Sequence, residues 1–278
     1  MPVPFTKMHG AGNDFILLDD RGLTIPWHDH FLMAALAARR VGVGAEGIIL
    51  VQPSDAADFR FRFLNPDGTE AALCGNGLRC AAAFAHEIGA APADMRIETA
   101  RGVVRAELVP AGVKVHLPDP GARAYGMQVA LPGRRVHGHF INSGVPHFVV
   151  PVENINDLDV AGEGPVLRQH PDFAPEGTNI DFAVFTAPNR ISMRTYERGV
   201  EGETGACGTG AVACAVVGVE CFNLSLPVRV RTFFGFDLAI DGEWRDKQCV
   251  NLPLTGPAKV AYRGELDLAA FEHGAGFE

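Results

Sequence analysis

The segments NPDGTEAALCGNGLRCAAAFAHEIG (residues 65–89) and ERGVEGETGACGTGAVACAVVGVECF (residues 197–222) are two copies of one pattern. Placing Cys74 on Cys207 (207 − 74 = 133) also places Gly75 on Gly208, Gly77 on Gly210 and Glu70 on Glu203. Both cysteines run into small and apolar residues without proline, which predicts one helix from about Asn76 to Ile88 and another from about Thr209 to Cys221. Upstream, Phe59 to Asn65 (FRFRFLN) and Ile191 to Glu197 (ISMRTYE) alternate apolar and polar residues as half-buried strands do. An offset near half of the 278-residue length predicts two related halves, each giving one copy to a shared site.

Outside the repeats the chain reads as short strands joined by turns, at 13–19, 46–51, 95–100, 103–109, 113–117, 134–141, 147–152, 180–186, 228–232, 236–240 and 248–252. A further helix is expected from His30 to Arg40. One prominent helix per half among many short strands predicts an α+β fold of two antiparallel-rich domains rather than a doubly wound parallel sheet. The break at Pro118-Asp119-Pro120-Gly121 divides residues 1–119, carrying Cys74, from residues 120–261, carrying Cys207. Residues 262–278 are expected to return to the first half.

The length suits two domains, and a net charge of −9 argues against a nucleic-acid partner, since phosphate binding needs a basic surface. The start, MPVPFTKMHGAGNDF, has neither the basic segment nor the apolar run of a secretion signal. No window approaches the ~20 apolar residues that span a membrane. A soluble cytoplasmic protein is the expectation, with its six cysteines as free thiols. There is no CxxC pair, and no obvious site for metal or pyridoxal phosphate, so no cofactor is expected.

A cysteine ahead of a helix has specific chemistry. The first N–H groups of a helix lack intrahelical acceptors, and the helix dipole adds positive potential there. A thiol in that position is expected to lose its proton more readily than at the ordinary value of roughly 8.5. The same N–H groups can hold a carboxylate. By default a cysteine is a small core residue, the reading given to Cys80, Cys214, Cys221 and Cys249. Matched positions set Cys74 and Cys207 apart. Inverting a carbon beside a carboxylate needs one proton removed from one face and another delivered to the opposite face, and a thiolate with a thiol can exchange those roles.

At these residues the chain resembles the diaminopimelate epimerase family. The resemblance is carried by KMHGAGNDFILLD (7–19), LNPDGTEAALCGNGLRC (64–80), PEGTNIDF (175–182) and YERGVEGETGACGTGA (196–211), in that order. It implies two pseudo-symmetric halves, each a mainly antiparallel strand layer or barrel around a central helix, with the active site between them. It implies a cofactor-independent homodimer that converts LL- to meso-2,6-diaminopimelate for lysine and peptidoglycan synthesis.

Transferred position by position, the resemblance makes Cys74 and Cys207 the acid/base pair, with His147 and Glu197 in the catalytic set. It places the reacting carboxylate on the N–H groups of Gly75, Asn76, Gly208 and Thr209. Asn13, Asn65, Asn179, Glu197 and Arg198 would hold the remaining amino and carboxylate groups of a doubly zwitterionic substrate. Tyr262 matches a dimer-interface position. The chain departs from the family at Val145, where an Asn is usual, with Asn142 nearby as a substitute. It departs again at Glu46-Gly47, where some members have Asp-Gln.

Two rivals share the fold. A proline-type racemase needs no distal Glu-Arg pair, and the phenazine-type isomerase lacks the paired cysteines. A non-catalytic binding protein would tolerate loss of one cysteine.

Overall fold

The computed structural model describes residues 2–71 and 73–271. It divides into two compact units: the chain up to Val115 with the segment from Pro257 onward, and His116–Gly256.

The first unit runs β1 (Val3–Gly10), β2 (Asn13–Asp19), α1 (His30–Ala37), β3 (Ile48–Gln52), β4 (Phe59–Leu64), β5 (Glu70–Ala71), α2 (Gly75–Glu87), β6 (Asp94–Thr99), β7 (Gly102–Val109) and β8 (Gly112–His116). β1 and β2 form a hairpin, β2 and β3 are parallel, β3 and β4 antiparallel, β4 and β6 parallel, and β6 and β7 antiparallel. The C-terminal strand Lys259–Leu266 lies antiparallel to β1. The tail beyond Phe271, residues 272–278, lies outside the described residues.

The second unit runs β9 (Arg123–Leu131), β10 (Arg134–Asn142), β11 (Pro146–Pro151), α3 (Val160–Arg168), β12 (Asn179–Thr186), β13 (Arg190–Glu197), β14 (Gly202–Thr204), α4 (Gly208–Phe222), β15 (Val228–Arg231), β16 (Asp237–Ile240), β17 (Glu243–Arg245), β18 (Gln248–Val250) and β19 (Pro253–Gly256). Its pairings repeat those of the first. β10 and β11 form the hairpin, β11 and β12 are parallel, β12 and β13 antiparallel, β13 and β15 parallel, and β15 and β16 antiparallel. The internal repeat therefore extends from one motif to a whole topology, and each unit is α+β with a helix amid mainly antiparallel strands.

The two repeat helices are buried around most of their circumference. α2 buries Leu78, Cys80, Ala81, Ala82, Phe84 and Ala85 and packs on β1, β2, β3, β4 and β7. α4 buries every residue from Gly210 to Gly218 and packs on β10 to β13, β15 and β16. A helix apolar on all sides needs a surrounding layer, and small residues let the strands close on it. The matched glutamates have matched structural roles. Glu70 pairs with Arg62 at 2.7 Å and Glu203 with Arg194 at 2.6 Å, each tying the short strand before the cysteine to the preceding long one.

Several elements escaped the sequence reading. In β1, Thr6 and Lys7 are buried along with Phe5 and Met8, so the alternation that marks a strand is absent. β9 and Lys259–Leu266 are mostly exposed and show no apolar face. α3 was hidden by Gly162, Gly164 and Pro165; Asp159 caps it, accepting from Gly162 N–H at 2.9 Å. α1 is shorter than expected and stops at Ala37, because Ala38 turns extended.

Gly10 ends β1 against the start of α2. A Cβ there would lie 2.6 Å from the carbonyl oxygen of Asn76. Gly10→Ala is expected to destabilise the fold by about 1–3 kcal/mol, read as a lower urea midpoint with an unchanged denaturant slope. An unaltered midpoint would contradict this close approach.

Candidate active site

Both cysteines are N-caps. Cys74 has an extended backbone (φ −138°, ψ 113°) and its Sγ accepts from Gly77 N–H at 3.4 Å. Cys207 repeats this (φ −112°, ψ 115°), accepting from Gly210 N–H at 3.4 Å. Sulfur thus stands where Ser or Thr oxygen usually caps a helix. All six cysteines are in the thiol form.

In the first unit Asn76 Nδ2 donates to Asn13 Oδ1, and Asn13 Nδ2 donates to the Glu46 carboxylate. Burial pushes the Glu46 carboxyl up, and the bond from Asn13 opposes that shift. Asn76 Oδ1 accepts from Arg79 at 2.7 Å. Arg79 is fully buried, and burial pushes its guanidinium down to about 10. Sequence reasoning missed Arg79; in an otherwise apolar helix a cation at this position was the available signal. Asn65 keeps its amide within its own turn, donating to Thr69 Oγ1 at 3.1 Å.

In the second unit the site is denser. Cys207 is 7% exposed, and His147 is completely buried. His147 Nδ1 meets Asp181 Oδ2 at 2.6 Å and Nε2 meets Thr209 Oγ1 at 2.9 Å, and that hydroxyl lies 3.5 Å from Cys207 Sγ. Glu197 accepts from the Thr204 hydroxyl, and its charge acts on the neighbouring Cys207 thiol. Burial pushes its carboxyl up. Asn179 Nδ2 donates to the Pro146 carbonyl at 2.8 Å, and its Oδ1 accepts from Arg198 N–H at 2.8 Å. The Arg198 guanidinium turns to Glu176, so Glu197 and Arg198 are not a pair with each other.

One expectation is reversed. The helix start does not make Cys207 more acidic: burial pushes its thiol well above the ordinary range, and the carboxylates of Glu197 and Asp181 push it further. The opposing bonds from Thr209 and Gly210 are outweighed. A second is refined, since Cys221 is half-buried with its Sγ 3.5 Å from His139 Nδ1, whereas Cys80, Cys214 and Cys249 are buried packing residues.

The sequence model described as diaminopimelate epimerase matches residues 5–120 and 139–240. The chain is 40% identical to the diaminopimelate epimerase of Aquifex aeolicus, over 97% of this chain and 99% of that one. It is also 40% identical to that of Chlorobaculum tepidum, over 94% and 100%.

The chain belongs to the diaminopimelate epimerase family.

Solved structures with the same fold include a probable proline racemase from Agrobacterium radiobacter (TM-score 0.69, 18% identity, covering 97% of this chain and 94% of that one). A phenazine biosynthesis protein from Enterococcus faecalis gives a TM-score of 0.70 at 14% identity, covering 96% and 100%. These show the fold alone.

At the position where Val145 departs from the diaminopimelate epimerase motifs, the nearby Asn142 Oδ1 accepts from Gly144 N–H at 3.2 Å, within its own turn. Asp181, two residues after Asn179 and so on the same face of β12, was overlooked by sequence reading. Tyr262 is 47% exposed, with its ring edge-on to Phe5.

The Cys207 environment has a direct readout. Cys80, Cys214, Cys221 and Cys249 are all pushed up by burial, so they are silent near neutrality. In a Cys74→Ala variant, thiolate absorbance at 240 nm should therefore stay flat up to about pH 9. Adding Glu197→Gln removes a negative neighbour and should bring the Cys207 titration to lower pH. Thiolate already present at pH 7 with Glu197 intact would contradict the buried, carboxylate-flanked site.

Proposed function

We propose that this protein epimerises LL-2,6-diaminopimelate to the meso isomer without a cofactor, in lysine and peptidoglycan synthesis. The observation that carries the reading is the repeated one: each unit presents a cysteine as the N-cap of its central helix, with glycine at the third helical position. Near-full-length similarity to diaminopimelate epimerases supports the substrate.

In this reading Cys74 and Cys207 act on opposite faces of the α-carbon, one as thiolate and the other as thiol, exchanging roles with reaction direction. The N–H groups of Gly75, Asn76, Gly208 and Thr209 take the α-carboxylate. As the proton leaves, charge spreads into that carboxylate, and fixed N–H donors at a helix start stabilise it without reorganising. Glu197 holds a thiol proton at Cys207, and His147 acts beside it. Arg198 serves the distal carboxylate. Asn13, Asn65 and Asn179 provide amides that can face either ammonium or carboxylate. A homodimer using the strand that carries Tyr262, working in the cytoplasm, completes the reading. Among the described residues no helix is long and apolar enough to cross a membrane.

Cys74→Ala and Cys207→Ala are each expected to lower the LL-to-meso rate by at least about 10²–10⁴-fold with circular dichroism unchanged. Near-normal turnover in either variant would sink the two-base scheme.

Val145 offers no hydrogen bond where the family has an amide. Val145→Asn should lower KM for diaminopimelate roughly 2–10-fold, the equivalent of one neutral hydrogen bond, with kcat changed less. A change confined to kcat would remove Val145 from recognition.

A further inference from the structure

The turn between β15 and β16 reads Thr232-Phe233-Phe234-Gly235-Phe236, closed by Thr232 N–H donating to the Phe236 carbonyl at 2.9 Å. Phe233 is 51% exposed and Phe234 is 55% exposed, so burial in a core does not account for two adjacent rings here. What they touch is the chain that enters Cys207. The Phe234 ring fills the space over Gly205, where a Cβ would lie 2.0 Å from two of its ring carbons. Phe234 N–H also donates to the Gly205 carbonyl at 3.3 Å. The Arg194 guanidinium lies over the Phe233 ring, 4.9 Å from its centroid. Arg194 in turn donates to both carboxylate oxygens of Glu203, at 2.6 and 2.8 Å. The turn therefore grips residues 203 and 205, just ahead of the N-cap.

The internal repeat separates this grip from what the fold requires. The offset of 133 places Thr99 on Thr232 and Gly102 on Gly235, in the turn between β6 and β7. It also sets Ala100-Arg101 against Phe233-Phe234, and Ala72 against Gly205. The first copy thus builds the same hairpin and the same cysteine-capped helix without either ring, and with alanine where the second copy has glycine. Ring and glycine occur together in one copy and are missing together from the other, as the two members of a contact should be.

Resting on the two-base reading, we propose that Phe234, seated on Gly205, is a positioning residue for Cys207, with Phe233 supporting it through Arg194 and Glu203. On the helix side the Cys207 sulfur is fixed by Gly210 N–H at 3.4 Å. On the other side the chain arrives through a glycine, whose backbone has the widest freedom of any residue. The ring removes that freedom two residues before the thiol. A proton-transfer group displaced by even about 1 Å loses much of its rate, so this restraint bears on turnover.

The test combines diaminopimelate turnover with iodoacetamide alkylation of each thiol, read peptide by peptide by mass spectrometry. Phe234→Ala should lower kcat by about 10–10²-fold, the scale of a misplaced reacting group. KM should stay within about 3-fold of wild type, with circular dichroism unchanged. Alkylation should become faster at Cys207 and stay the same at Cys74. Phe234→Tyr keeps the ring, has water beside it for the added hydroxyl, and should retain most of the rate. Gly205→Ala should push the ring away and lower kcat as Phe234→Ala does. The double variant should be no slower than either single one, because both changes remove one contact.

Wild-type kcat in Phe234→Ala would overturn the proposal, and so would losses that add in the double variant. If the wild-type protein does not epimerise diaminopimelate, the reading of its function falls instead. The alkylation rates then decide the grip alone, and an unchanged Cys207 rate in Phe234→Ala would overturn it. If Gly205→Ala fails to fold, the two Phe234 variants decide.

Discussion

The structure depends on burying a helix on nearly every side without orphaning its first N–H groups. Apolar burial around α2 and α4 drives strands to surround them, at about 1.5–3 kcal/mol for each side chain of valine or leucine size. That burial also withdraws the helix starts from bulk solvent, where unpaired N–H groups are costly. A cysteine N-cap satisfies the third N–H with sulfur. A fold requirement and a chemical opportunity thus occupy the same residues, and glycine at the third helical position serves both by admitting close neighbours.

The two units share a topology and differ in charge around the thiol. In the first, the buried guanidinium of Arg79 lies within about two turns of Cys74 along α2 and holds Asn76 in place. In the second, two carboxylates, the buried Asp181 and the half-buried Glu197, attend Cys207. The charge beside the two equivalent helix starts is therefore opposite in sign.

The repeat was legible because it rests on residues that no other choice replaces. Cysteine, then glycine at positions 75 and 77 or 208 and 210, recurs at one offset, and the alternating strands FRFRFLN and ISMRTYE precede them. From these the α+β architecture and the two central helices followed. Strands whose burial does not alternate were not legible: β1 hides Thr6 and Lys7 inside, and β9 shows almost no apolar face. At the site the cysteines and His147 could be singled out, but the direction of the Cys207 shift could not. A helix start is visible in sequence, whereas two carboxylates brought in from β12 and β13 are a product of strand register. Asp181 escaped for the same reason. Its neighbours in sequence give no sign that His147 lies across a parallel strand pair from it.

The central claim is cofactor-independent proton exchange at the α-carbon of diaminopimelate, and proton NMR in D2O tests it most directly. Purified, reduced protein with LL-diaminopimelate and nothing added should replace the α-proton by deuterium as the meso isomer forms. An α-proton signal that persists unchanged, with no meso isomer after many hours, would contradict the account.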